Sequence, residues 1–536
     1  MLSTAVSTTH RTSCMPAEGV SRRLALHTWL ATAVVALAGV LFVVVAPGVG
    51  DMWAALARAQ AARDGVGLGY WFSWYSGAHP PGGYSVLVPW LSAALGAHAV
   101  VALAATAIPW AVALTVTQVR RPIVAVWVAT LSAVMTLGAG RTTFLVGAVI
   151  ALGALDAAIR DRRWTASLLV ILSGLASPVA VAFVLVGFGA GLLVRRISLV
   201  PILVGIAFMG VSSLVWGSSG PEGYGWGRAL TSLVLLGLFL LAKPAKPVVL
   251  AIAIAAVAVL VFSAVPNALG SNLARLVFAV LPVAVAATAR RSNRMTACAV
   301  LPALVWSGYF TAHDLADARA SASSVTVYRP LSDALQALPG IENSRIEVVA
   351  DGTHTSAFVM AEDFWLARGY ETQADRSLSD AFVDREAHIS DAELTGWLQD
   401  SAVRYVALNR HPVKKTGQWR TVAATPPGWH EVWSNDQWRV FEVPDAKPLV
   451  TDGATITDKT SSHLILRVEP SRDVIVRTRW SSFLHARVIE ERGPSDQRAG
   501  RDDAPRVVLE PTPDGWTRVR LDGSSTARDV ELFGRP

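Results

Sequence analysis

The chain has 536 residues, of which 52% are hydrophobic and only 16% charged, with a mean hydropathy of +0.42. That excludes an ordinary soluble protein of this length and calls for several membrane spans. The net charge of +7 is divided unevenly: residues 1–311 hold six of the forty acidic residues and stand near +14, and the remainder stands near −7. The basic surplus falls in short clusters between apolar runs, which marks topology and not a nucleic-acid partner.

Taken in chain order, residues 1–23 read as a cytoplasmic tail. The apolar segment after them is longer than a signal-peptide core and reads as a retained span. Apolar runs fall near 24–46, 99–118, 122–138, 143–159, 164–176, 178–194, 198–216, 228–242, 246–264, 273–289 and 295–311. A span needs roughly 20 apolar residues, so 164–176 and 228–242 are short. Ser177-Pro178 separates two helices, because proline disfavours helix at the residue before it. Eleven spans put Arg22-Arg23, Arg120-Arg121, Arg160/Arg162/Arg163, Arg195-Arg196, Lys243/Lys246 and Arg290/Arg291/Arg294 on one side, the cytoplasmic one. YSVLVPWLSAALG (84–96) then reads as a helix at the outer membrane surface. Residues 47–98 become one long outer loop inside a membrane domain of 24–311. GFGAG (187–191) lies within a run, where close helix packing explains it.

The expected exported part begins with an α/β region, 312–445. SRIEVVA (344–350) and VRYVALN (403–409) read as strands, DAELTGWLQD (391–400) as a helix, and WHEVWSNDQWRVFEV (429–443) as a hairpin. From 446 to 536 short strands, HLILRVEP, RDVIVRTRW, PRVVLEP, WTRVRLDG and RDVELFG, suggest a β-sandwich. Trp480 and Trp516 suit sugar stacking or a core equally. SDQRAGRDDAP (495–505) reads as a polar loop. Cys14 and Cys298 are the only cysteines, and their positions argue against a disulfide.

Three acidic residues face the outer side of the membrane domain: Asp51, Asp64 and Glu222. A carboxylate at the bilayer edge is costly to desolvate. Asp51 reads as a general base, as a metal ligand or as an N-cap of the helix that follows it. His79-Pro80-Pro81 reads as a phosphate or metal holder, or as a stiff turn. Tyr70, Trp71, Trp74, Tyr75 and Tyr84 suit an interfacial aromatic belt, with sugar stacking as the second role, for Trp71 and Tyr75 in particular. Arg141, Arg228 and Arg275 depart from the inside bias and suit a lipid phosphate. Asn272 adds a donor one turn before Arg275, and Glu222 and Tyr224 share the loop GSSGPEGYGWGR (217–228).

Asp51, then HPPGGYSVLVPWLSAALG (79–96), then many spans and a C-terminal exported domain: this layout resembles the GT-C superfamily of integral-membrane glycosyltransferases. The resemblance implies a polytopic α-helical membrane domain followed by an extracytoplasmic α/β plus β-sandwich domain. It implies a multi-pass plasma-membrane enzyme that takes a sugar from a polyprenyl-phosphate donor to a cell-envelope glycan or glycolipid and inverts the anomeric centre. It implies Asp51 as catalytic base; His79, Arg141, Glu222, Tyr224, Asn272, Arg275, Trp71 and Tyr75 are placed about the substrates by their own positions and residue types. Many members carry a paired acidic motif, whereas Asp51 is followed by Met52, with Glu222 or Asp64 as the only partners in reach. A divalent metal therefore stays an open expectation and no other cofactor is implied. The competing classes are a non-catalytic envelope scaffold and a lipid or solute transporter. The apolar runs carry almost no ionisable residue near mid-bilayer, which argues against coupled transport.

Overall fold

The structure is a computed structural model that describes residues 18–217, 220, 222–371, 374, 389–470, 472–489 and 505–534. The expected tail up to residue 17, with Cys14, and nearly all of the loop 495–505 lie outside the described residues. Cys298 is a free thiol.

Helices stand at each apolar run. They are α1 (Glu18–Val45), α4 (Ala97–Thr115), α5 (Pro122–Gly138), α6 (Thr142–Ile159), α7 (Arg163–Ala176), α8 (Pro178–Leu193), α9 (Val200–Trp216), α10 (Trp226–Phe239), α11 (Lys246–Ala264), α12 (Gly270–Thr288) and α13 (Asn293–Asp317). Six of these, α1, α4, α6, α11, α12 and α13, contain stretches long and apolar enough to cross a membrane alone. The break at Ser177 is as expected: α7 ends at Ala176, and Pro178 opens α8, where its missing N–H costs nothing. Small residues bring the helices close. A Cβ on Gly39 of α1 would lie 3.1 Å from Ala102 of α4, and one on Gly147 of α6 would press on Ser177 and Ala180. The GFGAG stretch obeys this only in part, since Gly191 packs on Ile197 while a Cβ at Gly187 would meet nothing within 4 Å. The last helix runs on to Asp317, six residues past the expected end of the membrane domain.

Between α1 and α4 come α2 (Gly50–Arg63) and α3 (Val88–Leu95). The surface helix expected over 84–96 is shorter than its apolar run. It buries Val88, Pro89 and Ser92 and exposes Trp90, Leu91 and Leu95.

The C-terminal part has three sheets. In the first, β1 (Arg345–Val348) runs parallel to β2 (Val403–Asn409). The hairpin of β3 (His430–Ser434) and β4 (Trp438–Glu442) adds to it in the order β1-β2-β4-β3. The hairpin turn is fixed by Asn435, whose side-chain oxygen accepts from the N–H groups of Gln437 and Trp438. Helices α14 (Val325–Gln336), α15 (Thr355–Val359) and α16 (Asp391–Asp400) accompany this sheet. Ser390 caps α16 by accepting from the Glu393 N–H. The other two sheets, β7-β10-β9 and β5-β6-β11-β8, share a core that includes Val468, Val474, Val476, Val519, Val530 and Leu532. Strands β6 (His463–Val468), β7 (Asp473–Arg479), β9 (Arg506–Pro511), β10 (Trp516–Asp522) and β11 (Arg528–Gly534) match the expected runs. Strands β5 (Ala454–Lys459) and β8 (Leu484–Val488) carry no clear apolar alternation and are found only in the structure. Trp516 is buried beneath the Arg479 guanidinium at 3.8 Å, while Trp480 is exposed.

The long first loop is the hinge of this architecture. Tyr70 and Phe72 enter the core of the paired sheets, where Phe72 stacks on Trp365 at 5.2 Å. Trp71, Trp74 and Tyr75 enter a second core with Tyr328, Leu331, Ile346 and Trp438. Backbone bonds stitch the two parts, from Leu366 N–H to Ser73 carbonyl and from Phe72 N–H to Ser461 carbonyl. The expected aromatic belt is therefore corrected for Tyr70, Trp71, Trp74 and Tyr75, while Tyr84 is only partly buried. The first four rings are at most 4% exposed, so they face neither lipid headgroups nor open solvent, and they cement the loop to the C-terminal part.

Candidate active site

Asp51 is the second residue of α2. It does not cap the helix: Val49 holds the capping position and no side chain fills that role. Its carboxylate is instead the meeting point of three other segments. Arg275 donates from Nη2 to Oδ2 at 2.7 Å, and Arg141 Nε stands 3.7 Å from the same oxygen. The Tyr370 hydroxyl donates to Oδ1 at 2.6 Å. Asp51 and Arg141 side chains are each 25% exposed and Arg275 is 16% exposed, so the cluster is open to a ligand.

Local sequence sets each position. Arg141 follows the tight turn after α5, where Gly140 has φ +70°. A Cβ on Gly140 would lie 2.7 Å from Val49 and 3.0 Å from the Met52 backbone nitrogen. Only glycine allows the turn to lie against the start of α2 and so present Arg141 to Asp51. Arg275 sits in α12 just before a π-helical stretch, Leu276–Val280. Such stretches insert a residue and re-aim the side chains beside them, often at functional sites. The Arg275 guanidinium also rests over the Phe144 ring at 5.7 Å. Tyr370 comes from the C-terminal part, with the His354 ring 4.5 Å away.

Burial raises the Asp51 pKa, but Arg275, Arg141, the Tyr370 hydroxyl and His354 together outweigh it and hold the carboxylate below its ordinary value. Asp51 is thus an anion locked by two cations. Asp314 of α13 shares the electrostatic field of Arg141 and Asp51. It is the acidic companion that the sequence did not offer, because it lies just beyond the last apolar run. Asp64 and Glu222, the two expected partners, are elsewhere. Asp64 accepts from Gln60 at the end of α2. Glu222 pairs through its backbone with Asn267 and packs on Gly270.

The remaining expected residues fall into other neighbourhoods. His79 meets Tyr75 edge-on at 5.1 Å, and burial lowers its pKa against the opposing pull of Glu371. Tyr224 is fully buried with its hydroxyl 2.7 Å from Ser232, and Arg228 lies over its ring. Trp71 and Tyr75 are sealed in the junction, Tyr75 donating to the Glu371 carbonyl at 2.7 Å, so neither offers a ring face to a substrate. Asn272 precedes Arg275 by one turn at the start of α12. Of the expected set the structure therefore brings together Asp51, Arg141 and Arg275. Tyr370, His354 and Asp314 were missed, and no local sequence signal marks them. Among the described residues no group of three or more His, Cys, Asp or Glu side chains is placed to hold a metal ion.

No family model matches the chain, and no curated protein does. Among solved structures it is similar to a variant of the arabinofuranosyltransferase AftD from mycobacteria, determined by single-particle cryo-electron microscopy. The two share 13% identity over 96% of this chain and 60% of that one, with a TM-score of 0.40. The chain thus spans less than two thirds of the AftD chain, and no residue correspondence follows from so loose a superposition.

Proposed function

We propose that this protein is an integral-membrane glycosyltransferase of GT-C type. It would transfer a sugar from a polyprenyl-phosphate donor to a cell-envelope glycan or glycolipid on the outer face of the membrane. The observation that carries the reading is the Asp51–Arg275–Arg141–Tyr370 cluster, partly open and set where the helical bundle meets the C-terminal part.

The chemistry follows from the charges. The donor phosphate is a competitor for the two guanidiniums that Asp51 now occupies. A bidentate guanidinium contact suits a phosphate well. As the phosphate takes the arginines, Asp51 loses the cations that lower its proton affinity and becomes a better base. The freed carboxylate accepts the proton of the acceptor hydroxyl as its oxygen attacks the anomeric carbon. The bond from that carbon to the phosphate oxygen breaks, and the departing phosphate carries its negative charge onto Arg141 and Arg275. A single displacement inverts the anomeric centre. Asp314 stands on the Arg141 side as a second acid, and a role for a divalent ion is tested by chelation.

The experiment is sugar transfer by purified protein from a panel of polyprenyl-phosphate sugars, with wild type and Asp51→Asn compared. Thermal unfolding first establishes that the variant folds. Loss of transfer in a folded Asp51→Asn is expected. Full transfer by the variant would remove Asp51 as base, and absence of transfer from every donor by the wild type would favour the scaffold class.

A further inference from the structure

The helical bundle encloses a cavity of about 1330 Å³ bounded by α4, α5, α6, α8, α11 and α12. Ordinary small-ligand pockets hold roughly 300–1,000 Å³. Its walls are apolar, with Ile108, Val112, Phe183, Val184, Leu281 and Val283 among them. At the end opposite Asp51, five cations line it: Arg120, Arg195, Arg196, Lys246 and Arg290. All five are exposed, and no acidic residue lines the cavity.

The inside bias of basic residues accounts for the side on which these cations lie. It does not account for their convergence. They come from four separate connections, α4–α5, α8–α9, α10–α11 and α12–α13, yet they border one opening into an apolar chamber. A cavity that is wet by charge at its mouth and apolar in its depth fits an amphiphile. We propose that it binds a membrane lipid with an anionic phosphate headgroup. The phosphate would sit among the five cations and the aliphatic chains within the bundle. Basic pockets between helices on this side of a membrane hold anionic headgroups for the same electrostatic reason. The cationic mouth lies away from the Asp51 cluster, while the depth of the chamber reaches Phe144 and Leu276 beside Arg275; the headgroup site does not depend on the glycosyl-transfer reading.

The test is native mass spectrometry of the full-length protein, stripped of lipid in detergent and then offered phosphatidylglycerol or phosphatidylcholine of the same chain length. Phosphatidylglycerol should be retained in preference. Two variants probe the two halves of the site. Arg195→Gln/Arg196→Gln/Arg290→Gln removes three charges and should weaken phosphatidylglycerol retention on the order of a hundredfold. Gly187→Phe adds a ring at a cavity-lining position where the new Cβ meets no atom within 4 Å, and it should block retention. Thermal unfolding in lipid-free detergent checks that both variants fold. Equal retention of the two lipids would overturn the proposal, as would indifference to whichever variant folds. Displacement of the lipid by inorganic phosphate alone at comparable concentration would make the mouth a free-phosphate site and would overturn it equally.

Discussion

A single carboxylate with a donor on each oxygen and a second guanidinium beside it has little proton affinity, and at Asp51 that is a resting condition. Tyr370 is the one donor that a donor phosphate would not displace, so its hydroxyl tunes the base during turnover. Tyr370→Phe removes a hydrogen bond to a charged group, a loss of about 1.5–3 kcal/mol. The acid limb of the rate profile should move to higher pH, because the hydroxyl lowers the Asp51 pKa. A rate profile with an unchanged acid limb would show that Tyr370 does not act on Asp51. His79 offers the second residue-scale expectation. Burial lowers its pKa in the folded state below the ordinary value of about 6.5. The unfolded chain therefore binds more protons as pH falls through that value, and stability that is present above about 6.5 is lost below it. A His79→Leu variant should show a flatter melting temperature between pH 7 and pH 5 than the wild type.

The cluster is assembled by turns and irregular stretches of helix, and so the elements carry its precision. The α5–α6 turn tolerates no side chain at residue 140, since a Cβ there would strike Val49 and Met52. Gly140→Ala should leave the helices formed while pushing Arg141 away from Asp51. The expected outcome is a raised KM for the phosphate donor together with a lowered kcat, because Arg141 both binds the phosphate and takes up its developing charge. The junction is held by a second element-level device that the sequence did not reveal. Arg58 of α2 is buried, paired with Glu371 and stacked over Tyr84 at 3.9 Å. Removing one partner of a buried pair strands the other and costs about 3–5 kcal/mol. Glu371→Ala should therefore loosen the first loop, read as faster proteolysis or amide exchange near residues 58–75, whereas unaltered exchange would deny the pair its structural part. Neither Arg58 nor Glu371 was legible in sequence, because each looks like a surface charge until the fold brings together two residues 313 positions apart. The same holds for Tyr370. By contrast, Asp51, Arg141 and Arg275 were legible, since each is an ionisable residue at the edge of an apolar run, where it needs a reason to be.

On the scale of the molecule, apolar run length and proline position yielded the helices, and alternation yielded most of the strands. What they did not yield was the joining of the two parts, because an aromatic residue in a loop has the same sequence appearance whether it meets lipid or another segment. The bundle and the C-terminal part are not separable modules. Truncation after Asp317 should leave helices α1 to α13 with Tyr70, Trp71, Phe72, Trp74 and Tyr75 stripped of cover. The shortened protein is expected to aggregate on detergent extraction, as size-exclusion chromatography would show, and a monodisperse product would mean that the loop finds other partners.

The buried junction also imposes a schedule on biosynthesis. Tyr75 donates to a carbonyl 296 residues further on, and Tyr70 to one 409 residues further on. At elongation rates of about 5–20 residues per second, the loop waits roughly 15–80 s for the segments that cover it. Throughout that interval several large aromatic rings wait without the segments that cover them. The yield of such a chain should depend on holdase supply more than on the final stability of the fold.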